Sequence, residues 1–443
     1  MKLSRRNFLK MGATVASSTA LTTIPGIASA DSSESTHKAI VCILLNGGND
    51  AYNMLIPLSE SAYSDYALAR PALAIKEEDV LPLGLNTDNA VELGIHPAMS
   101  AMLPLFKSGQ ATAVINSGPL VEPLTRSTIE QGLGVLPDFL MAHNLQQEMV
   151  QSGTVSMSNR YAWAGRMMDI IGVNSSVSPL IAIGNDCKLL RSAKYKQTVV
   201  NSDGVGSYTG WNSSHRVSGY FSHFVNRDYE NLYSHNFSKR MSSSVLENEE
   251  LNEVLQAYPA TGSYPDTHLA DQLKMVSRLI QANKTMGQKR QVFFVELGGF
   301  DTHNDQDTTH RELLTQVSDA LAAFNQDIAA HKLEEQVTSV TMSDFGRRVR
   351  ANSTGTDHGW GGHQIITGGA VKGGKAYGNW PQLTSKSEDD YSNGRVIPSI
   401  STDQVNASLC EWFGLNTGQI HSLFPNLINF QSPTLDFMTT QKV

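Results

Sequence analysis

Cysteine is scarce: Cys42, Cys187 and Cys410 are the only three in 443 residues, far apart and without a C-x-x-C spacing. That count allows one disulfide at most and argues against a thiolate zinc site. Cys42 lies inside an apolar run and reads as core packing. Charge is thin as well, at 17% Asp, Glu, Lys and Arg, and the positive sign is the smaller share, 34 residues against 42, for a formal net charge of −8. An acidic chain is a poor partner for nucleic acid, whose phosphates are held by clustered Lys and Arg. There is no internal repeat and no low-complexity tract. With 40% apolar residues the chain can bury a substantial core, enough for one large α/β domain or two ordinary ones.

The first thirty residues stand apart. Ser4-Arg5-Arg6-Asn7-Phe8-Leu9-Lys10 has the form of a twin-arginine signal, and a mildly apolar segment over 11–27 leads to the small-residue site Ala28-Ser29-Ala30. A membrane anchor is the competing reading, but the segment is short for a span and carries Ser, Thr, Gly and a proline. The expectation is therefore export by the twin-arginine machinery to the periplasm or beyond, cleavage after Ala30, and a mature domain over 31–443 with no stable membrane span. Cleavage removes Lys2, Arg5, Arg6 and Lys10 and no acids, which moves the formal charge from −8 by four units to −12. Because this route carries folded proteins, a metal can be loaded before export.

Beyond the linker, residues 39–45 form the clearest strand, ending in Asn46-Gly47-Gly48-Asn49-Asp50. Helical spacing of Met99, Met102, Leu103 and Phe106 predicts a helix over 97–107, followed by a strand at 111–115. Further helices are predicted over 138–150, 163–171, 268–286, 311–328 and 403–413, and strands over 291–297 and 337–341. Over 188–258 the pattern weakens into Ser, Asn, Tyr and Gly, which reads as a loop-rich insertion, a cap or peripheral lobe, with His215, His223 and His235 on its surface. The alternation elsewhere predicts an α/β domain: a mainly parallel sheet sandwiched by helices.

Chemistry gathers where these strands end, the edge at which open α/β sheets bind ligands. After 291–297, Gly298-Gly299 free the backbone and Asp301, His303 and Asp305 follow. After 337–341 come Asp344, Arg347 and Arg348, then Asp357, His358 and His363 among Gly355, Gly359, Gly361 and Gly362. Carboxylates and imidazoles on a glycine-eased backbone are what a divalent metal needs, because side chains from different strands must converge on it. The plain alternative is polar surface loops. Asp50 is a third contributor to the same edge, or a cap for the next turn. The loop over 116–127 supplies hydroxyls at Ser117, Thr125 and Ser127, and the helix over 138–150 carries His143.

The segments NGGNDAYNMLIPL, LGIHPAM, WAGRMMD, LIQANKTMGQKRQVFFVELGGFDTH and SDFGRRVRANSTGTDHGWGGHQIITGGAVKGG resemble the bacterial DUF1501 proteins, a group similar to the sulfatase and alkaline phosphatase superfamily. The resemblance implies an alkaline phosphatase/sulfatase-like fold and a site for divalent metal, whether zinc, calcium, magnesium or manganese. Asp50, Asp301 with His303 or Asp305, Asp344, Asp357, and His358 or His363 would be its ligands. It departs from the superfamily pattern at Phe345, where a histidine ligand would stand, and at Ala142-His143, where many members carry Ser-His. Ser127 or Thr125 would then be the replacement nucleophile, with His143 assisting and Arg347 or Arg348 clamping the anion. Two functions follow as expectations: a metallohydrolase of small anionic esters of phosphate or sulfate, or a catalytically silent member acting in cell-envelope binding or assembly. The oligomeric state is left open.

Overall fold

Alternation along the first strand, β1 (Lys38–Leu45), sets the layering. Ala39, Val41, Ile43 and Leu45 point into one core cluster, while Ile40, Cys42 and Leu44 point into another. A strand apolar on both sides must be covered on both sides. The structure, a computed structural model, describes residues 36–153, 159–206 and 216–439, so the signal-like segment lies outside the described residues.

Seven further strands join β1 in chain order: β2 (Ala111–Gly118), β3 (Leu180–Ile183), β4 (Thr198–Val200), β5 (Arg290–Leu297), β6 (Val337–Ser343), β7 (Gly362–Thr367) and β8 (Ile400–Ser401). Their order across the sheet is β8-β2-β7-β6-β1-β5-β3-β4. Neighbours run parallel except at β7, which is antiparallel to both β2 and β6. Leu45 of β1 pairs with Leu297 of β5 and Ser343 of β6, so the loops after all three strands leave one edge together. Because β7 runs the other way, its beginning, Gly362-His363, lies at that edge too.

On one face, helices His268–Gln281 and Gln306–Ala330 pack through Leu269, Leu273, Val276, Leu314, Val317 and Phe324. On the other, Trp163–Ile171, Thr402–Phe413 and Thr417–Leu423 contribute Trp163, Met167, Leu409, Phe413 and Leu423. The expected α/β sandwich is what forms, a mixed sheet of eight mostly parallel strands flanked by helices.

Several local expectations differ. The 97–107 helix is split into a 3-10 turn, Pro97–Met102, and a short helix, Leu103–Lys107, with Met99 non-helical and Pro104 in the first turn of the second piece. The helix expected from 138 begins at His143 and runs to Ser152, because Phe139 and Met141 take φ of 54° and 68°, outside any right-handed helix. The 188–258 stretch supplies the edge strand β4 and the 26-residue helix Leu232–Ala257, whose Val245, Leu251, Val254 and Leu255 are buried. All three cysteines are free and buried, so the disulfide that their number allowed is not formed. Among the described residues no helix is long and apolar enough to cross a membrane.

Candidate metal centre

The β1 and β5 loops meet because glycine lets them. A Cβ at Gly47, which takes φ 119°, would lie 2.5 Å from the Asp301 backbone nitrogen, so only glycine allows the two loops to touch here. Asp344, directly after β6, accepts the Gly47 N–H at 3.2 Å on Oδ2. These contacts draw Asp301 and Asp344 to one place, and the helix His143–Ser152 delivers its first residue between them.

Three imidazoles then converge on Asp301 by the same nitrogen. His303 Nε2 lies 3.0 Å and His358 Nε2 3.2 Å from Asp301 Oδ1, and His143 Nε2 lies 3.4 Å from Oδ2. The Nε2 atoms of His303 and His358 are 3.1 Å apart. Each ring is held on its far side by a different group: His143 Nδ1 by Asp344 Oδ2 at 2.9 Å, His303 Nδ1 by Asp357 Oδ1 at 3.3 Å, His358 Nδ1 by the Met141 carbonyl at 2.9 Å.

These far-side partners assign the tautomers. A carbonyl only accepts, so the His358 proton is on Nδ1 and its Nε2 presents a lone pair. Burial lowers the pKa of His358, favouring that neutral form. The carboxylates of Asp357 and Asp344 dispose His303 and His143 in the same way. Bare nitrogens facing each other and a carboxylate at hydrogen-bond distance repel, and a cation lying among them relieves that repulsion. Donor atoms around a tetrahedral ion with bonds of about 2.0–2.1 Å stand roughly 3.3 Å from one another, and the three Nε2 atoms lie 3.0 to 3.4 Å from the oxygens of Asp301. The ligand atoms of His143, Asp301 and His358 all lie within 4.8 Å of each other. Imidazoles braced by carboxylates or a carbonyl on the distal nitrogen are the usual outer shell of such ions. The residues present therefore fit a divalent ion.

Asp344 is buried and its carboxyl is pushed upward by desolvation, an effect that the His143 bond partly opposes. Asp301 is more open, with a side chain 44% exposed. Desolvation raises its pKa, but Arg347 and the histidines outweigh that and hold it below the usual carboxylate range. Asp357 is held low first by Asn352, whose amide donates to Oδ1 at 2.8 Å, and by the Arg348 pair.

Other residues singled out in the sequence stand elsewhere. Asp50 is fully buried and paired with Arg70 at 2.6 Å, so its charge is already met. His363 is buried, accepts the Asn116 N–H on Nδ1 at 3.0 Å and packs against Tyr52 and Trp380; burial pushes its pKa down to about 3. Asp305 precedes the helix Gln306–Ala330 in a left-handed conformation, its N–H bonded to Thr354 Oγ1. Thr125 caps the short helix Arg126–Glu130, and the Ser127 hydroxyl donates to Glu388, so neither hydroxyl is bonded to the Asp301 cluster. Arg347 is buried and spends its donors on Asp301 Oδ1, the Gly47 carbonyl and Thr356; it orients Asp301 and has no free fork with which to clamp an anion.

Phe345 packs its ring 4.7 Å from His143 and 4.6 Å from His358. The Met141 carbonyl and the Gly47 N–H carried no side-chain signal in the sequence. Arg70 and Gln306 carried none either, lying at the end of one helix and the start of another.

Among solved structures, the chain is similar to the C-terminal periplasmic domain of EcEptC from Escherichia coli in complex with Zn, at 11% identity over 75% of this chain and 74% of that one, with a TM-score of 0.33. It is similar to the lipoteichoic acid synthase LtaP from Listeria monocytogenes at 6% identity over 89% and 76%, with a TM-score of 0.35. A protein in the alkaline phosphatase superfamily from Vibrio parahaemolyticus shares 8% identity over 87% and 69%, with a TM-score of 0.37. These likenesses are loose, and the case for a metal rests on the geometry of the site alone. No curated protein matches the chain. A family model, "Protein of unknown function (DUF1501)", matches residues 37–402, and the chain belongs to that family.

Proposed function

We propose that this chain is an exported metal-dependent hydrolase of phosphate or sulfate esters, with one divalent ion held by His143, His358 and Asp301, beside His303, and a position left open for substrate. The observation that carries the reading is the convergence of three Nε2 atoms on one carboxylate, each ring braced through Nδ1. Imidazole nitrogens beside one carboxylate favour zinc over calcium or magnesium, which take oxygen ligands. A divalent ion in that position supplies Lewis acidity toward an ester oxygen.

The chain's own residues do the rest. Asp344, Asp357 and the Met141 carbonyl fix the ring orientations, and Arg347 fixes Asp301. The helix His143–Ser152 opens at the site, and Ala142, its N-cap residue, makes no side-chain cap, so first-turn N–H groups are free to face an anion's oxygens. Phe345 walls one side of the histidine pair against water. Metal analysis of purified protein with a panel of aryl phosphate and aryl sulfate esters tests the reading: one zinc per chain and turnover lost with chelator are expected. A protein without stoichiometric metal would sink it.

One observation favours a second reading, a metal-binding envelope protein without turnover. The described site offers no serine or threonine bonded to the Asp301 cluster, and Ala142 stands where many members have serine. Zinc bound at one per chain with no turnover across the panel selects that reading.

Export is proposed from Arg5-Arg6 and the small-residue site that ends at Ala30. Replacing both arginines by lysine is expected to leave precursor in the cytoplasm; unchanged periplasmic accumulation contradicts it.

A further inference from the structure

A chain of buried side chains runs from Arg70 to Asp301. Arg70 Nη1 donates to Asp50 Oδ2 at 2.6 Å. The same oxygen accepts from Gln306 Nε2. Gln306 Oε1 accepts the Thr356 hydroxyl at 2.7 Å, Thr356 Oγ1 accepts Arg347 Nε at 2.8 Å, and Arg347 Nη1 donates to Asp301 Oδ1 at 2.9 Å. Asp50, Arg70, Gln306, Arg347 and Thr356 are all buried.

The direction of each bond is forced. An ionised Asp50 can only accept, and Arg70 keeps it ionised by holding its pKa low against the upward push of burial. Gln306 must therefore turn its NH2 toward Asp50 and its oxygen toward Thr356. That oxygen only accepts, so the Thr356 hydroxyl donates to it and leaves a lone pair for Arg347 Nε. Arg347 also donates to the Gly47 and Thr356 carbonyls, which pin the guanidinium plane. Reversing any one member breaks the next bond.

We infer that Gln306 and Thr356 are positioning residues for the metal ligand Asp301, and that Asp50 acts on the ion site through them rather than as a ligand. This rests on the metal-site reading above. The arrangement explains why a carboxylate after β1 and one after β5 both stand at the site edge although only Asp301 faces the histidines. The buried ion pair at one end polarises the neutral bridge, and the bridge fixes the Arg347 fork that sets the Asp301 carboxylate plane. Bonds to a ligand's outer partners are worth about 10–100-fold in metal affinity.

The test is zinc affinity, read by competition with a chromophoric chelator, for the wild type, Thr356→Val, Thr356→Ser and Gln306→Leu, alongside thermal melts in EDTA. Thr356→Val keeps the shape of the side chain and removes the hydroxyl; Thr356→Ser keeps the hydroxyl. The expected result is a loss of about 10–100-fold for Thr356→Val and Gln306→Leu, with Thr356→Ser close to wild type. Melting temperatures that fall while zinc affinity stays at the wild-type value overturn the inference and leave the metal site standing. A wild type that binds no zinc overturns both. If Gln306→Leu fails to fold, the Thr356 pair alone decides, since one differs from the other by whether the hydroxyl is present.

Discussion

Asp50 and Asp301 arise from nearly the same local sequence: a buried strand, a pair of glycines, then an aspartate. They sit on neighbouring strands of one sheet edge, yet they end in opposite surroundings. Asp50 is fully buried, and a guanidinium from Arg70 neutralises it. Asp301 is about half open and meets Arg347, His303 and His358 on Oδ1 and His143 on Oδ2. The strand-glycine-acid pattern therefore fixes where a carboxylate lies along the edge, whereas the partner it meets decides whether it can serve a metal. That partner comes from elsewhere in the chain and leaves no mark beside the motif.

The comparison is sharpest under substitution. Asp301→Ala is expected to lower zinc affinity by more than the about 10–100-fold of an outer-partner loss, because it removes a ligand atom, and it also strips the buried Arg347 of its carboxylate. Asp50→Ala is expected to do the reverse in emphasis: a stability loss of about 3–5 kcal/mol from leaving Arg70 buried and unpaired, with a smaller fall in affinity through the bridge. Denaturant melts and chelator competition on both variants check the pair. Equal loss of affinity in the two, with equal stability, would erase the distinction.

Acid comes next in size. Burial holds His37 and His310 down to about 4 and His96 and His363 to about 3, from a usual 6.5. The unfolded chain thus binds protons that the folded chain refuses between those values. Stability is full above about pH 6.5 and falls as pH drops through that window, by about 1.4 kcal/mol per histidine per pH unit. Asp403, pushed up to about 7 by burial, works the other way and offsets one histidine over part of the range. Urea melts from pH 8 to pH 4 are expected to show a midpoint that declines steeply below about 6.5; a flat midpoint contradicts the assignment of these rings as buried and neutral.

Smallest is the effect of Ala142→Ser. A serine at the N-cap of the helix His143–Ser152 is expected to add about 1 kcal/mol by capping a first-turn N–H. It also places a hydroxyl beside the ion site. A rise in melting temperature checks the first part. A rise in turnover on aryl esters would show that the missing hydroxyl limits chemistry, and unchanged turnover would show that it does not.

Much of the fold was legible because the central strands are buried on both faces and rich in apolar and β-branched residues. Residues 39–45, 291–297 and 337–341 have no room for another reading, and the spacing over 163–171 matches the helix Trp163–Ile171. The strand β7 was not legible. Its residues Gly362, His363, Gln364 and Thr367 look like loop, and it becomes a strand only by pairing with β2 and β6. The helix Leu232–Ala257 was hidden for a related reason, since few of its side chains are buried and Ser, Asn and Glu dominate the rest.

At the site, the sequence grouped Asp301, His303, Asp344, Asp357 and His358, and the structure brings these together. It also grouped Asp50, Asp305 and His363, which the structure sends respectively to an ion pair, a helix start and a cleft between aromatic rings. For His143 the sequence suggests only an assisting role, and its position between Asp301 and Asp344 makes it a ligand candidate. Its place depends on the positive φ of Met141, a tertiary constraint that no local propensity announces.

One ion held by His143, His358 and Asp301 is what makes this edge of the sheet a metal centre. X-ray absorption at the zinc edge, on protein reconstituted with one equivalent of zinc, reads that shell directly. The expected spectrum is a four-coordinate shell at about 2.0–2.1 Å with outer-shell scattering from imidazole that falls by one ring in His143→Ala. A shell of oxygens without imidazole scattering, or a spectrum unchanged by His143→Ala, would contradict it.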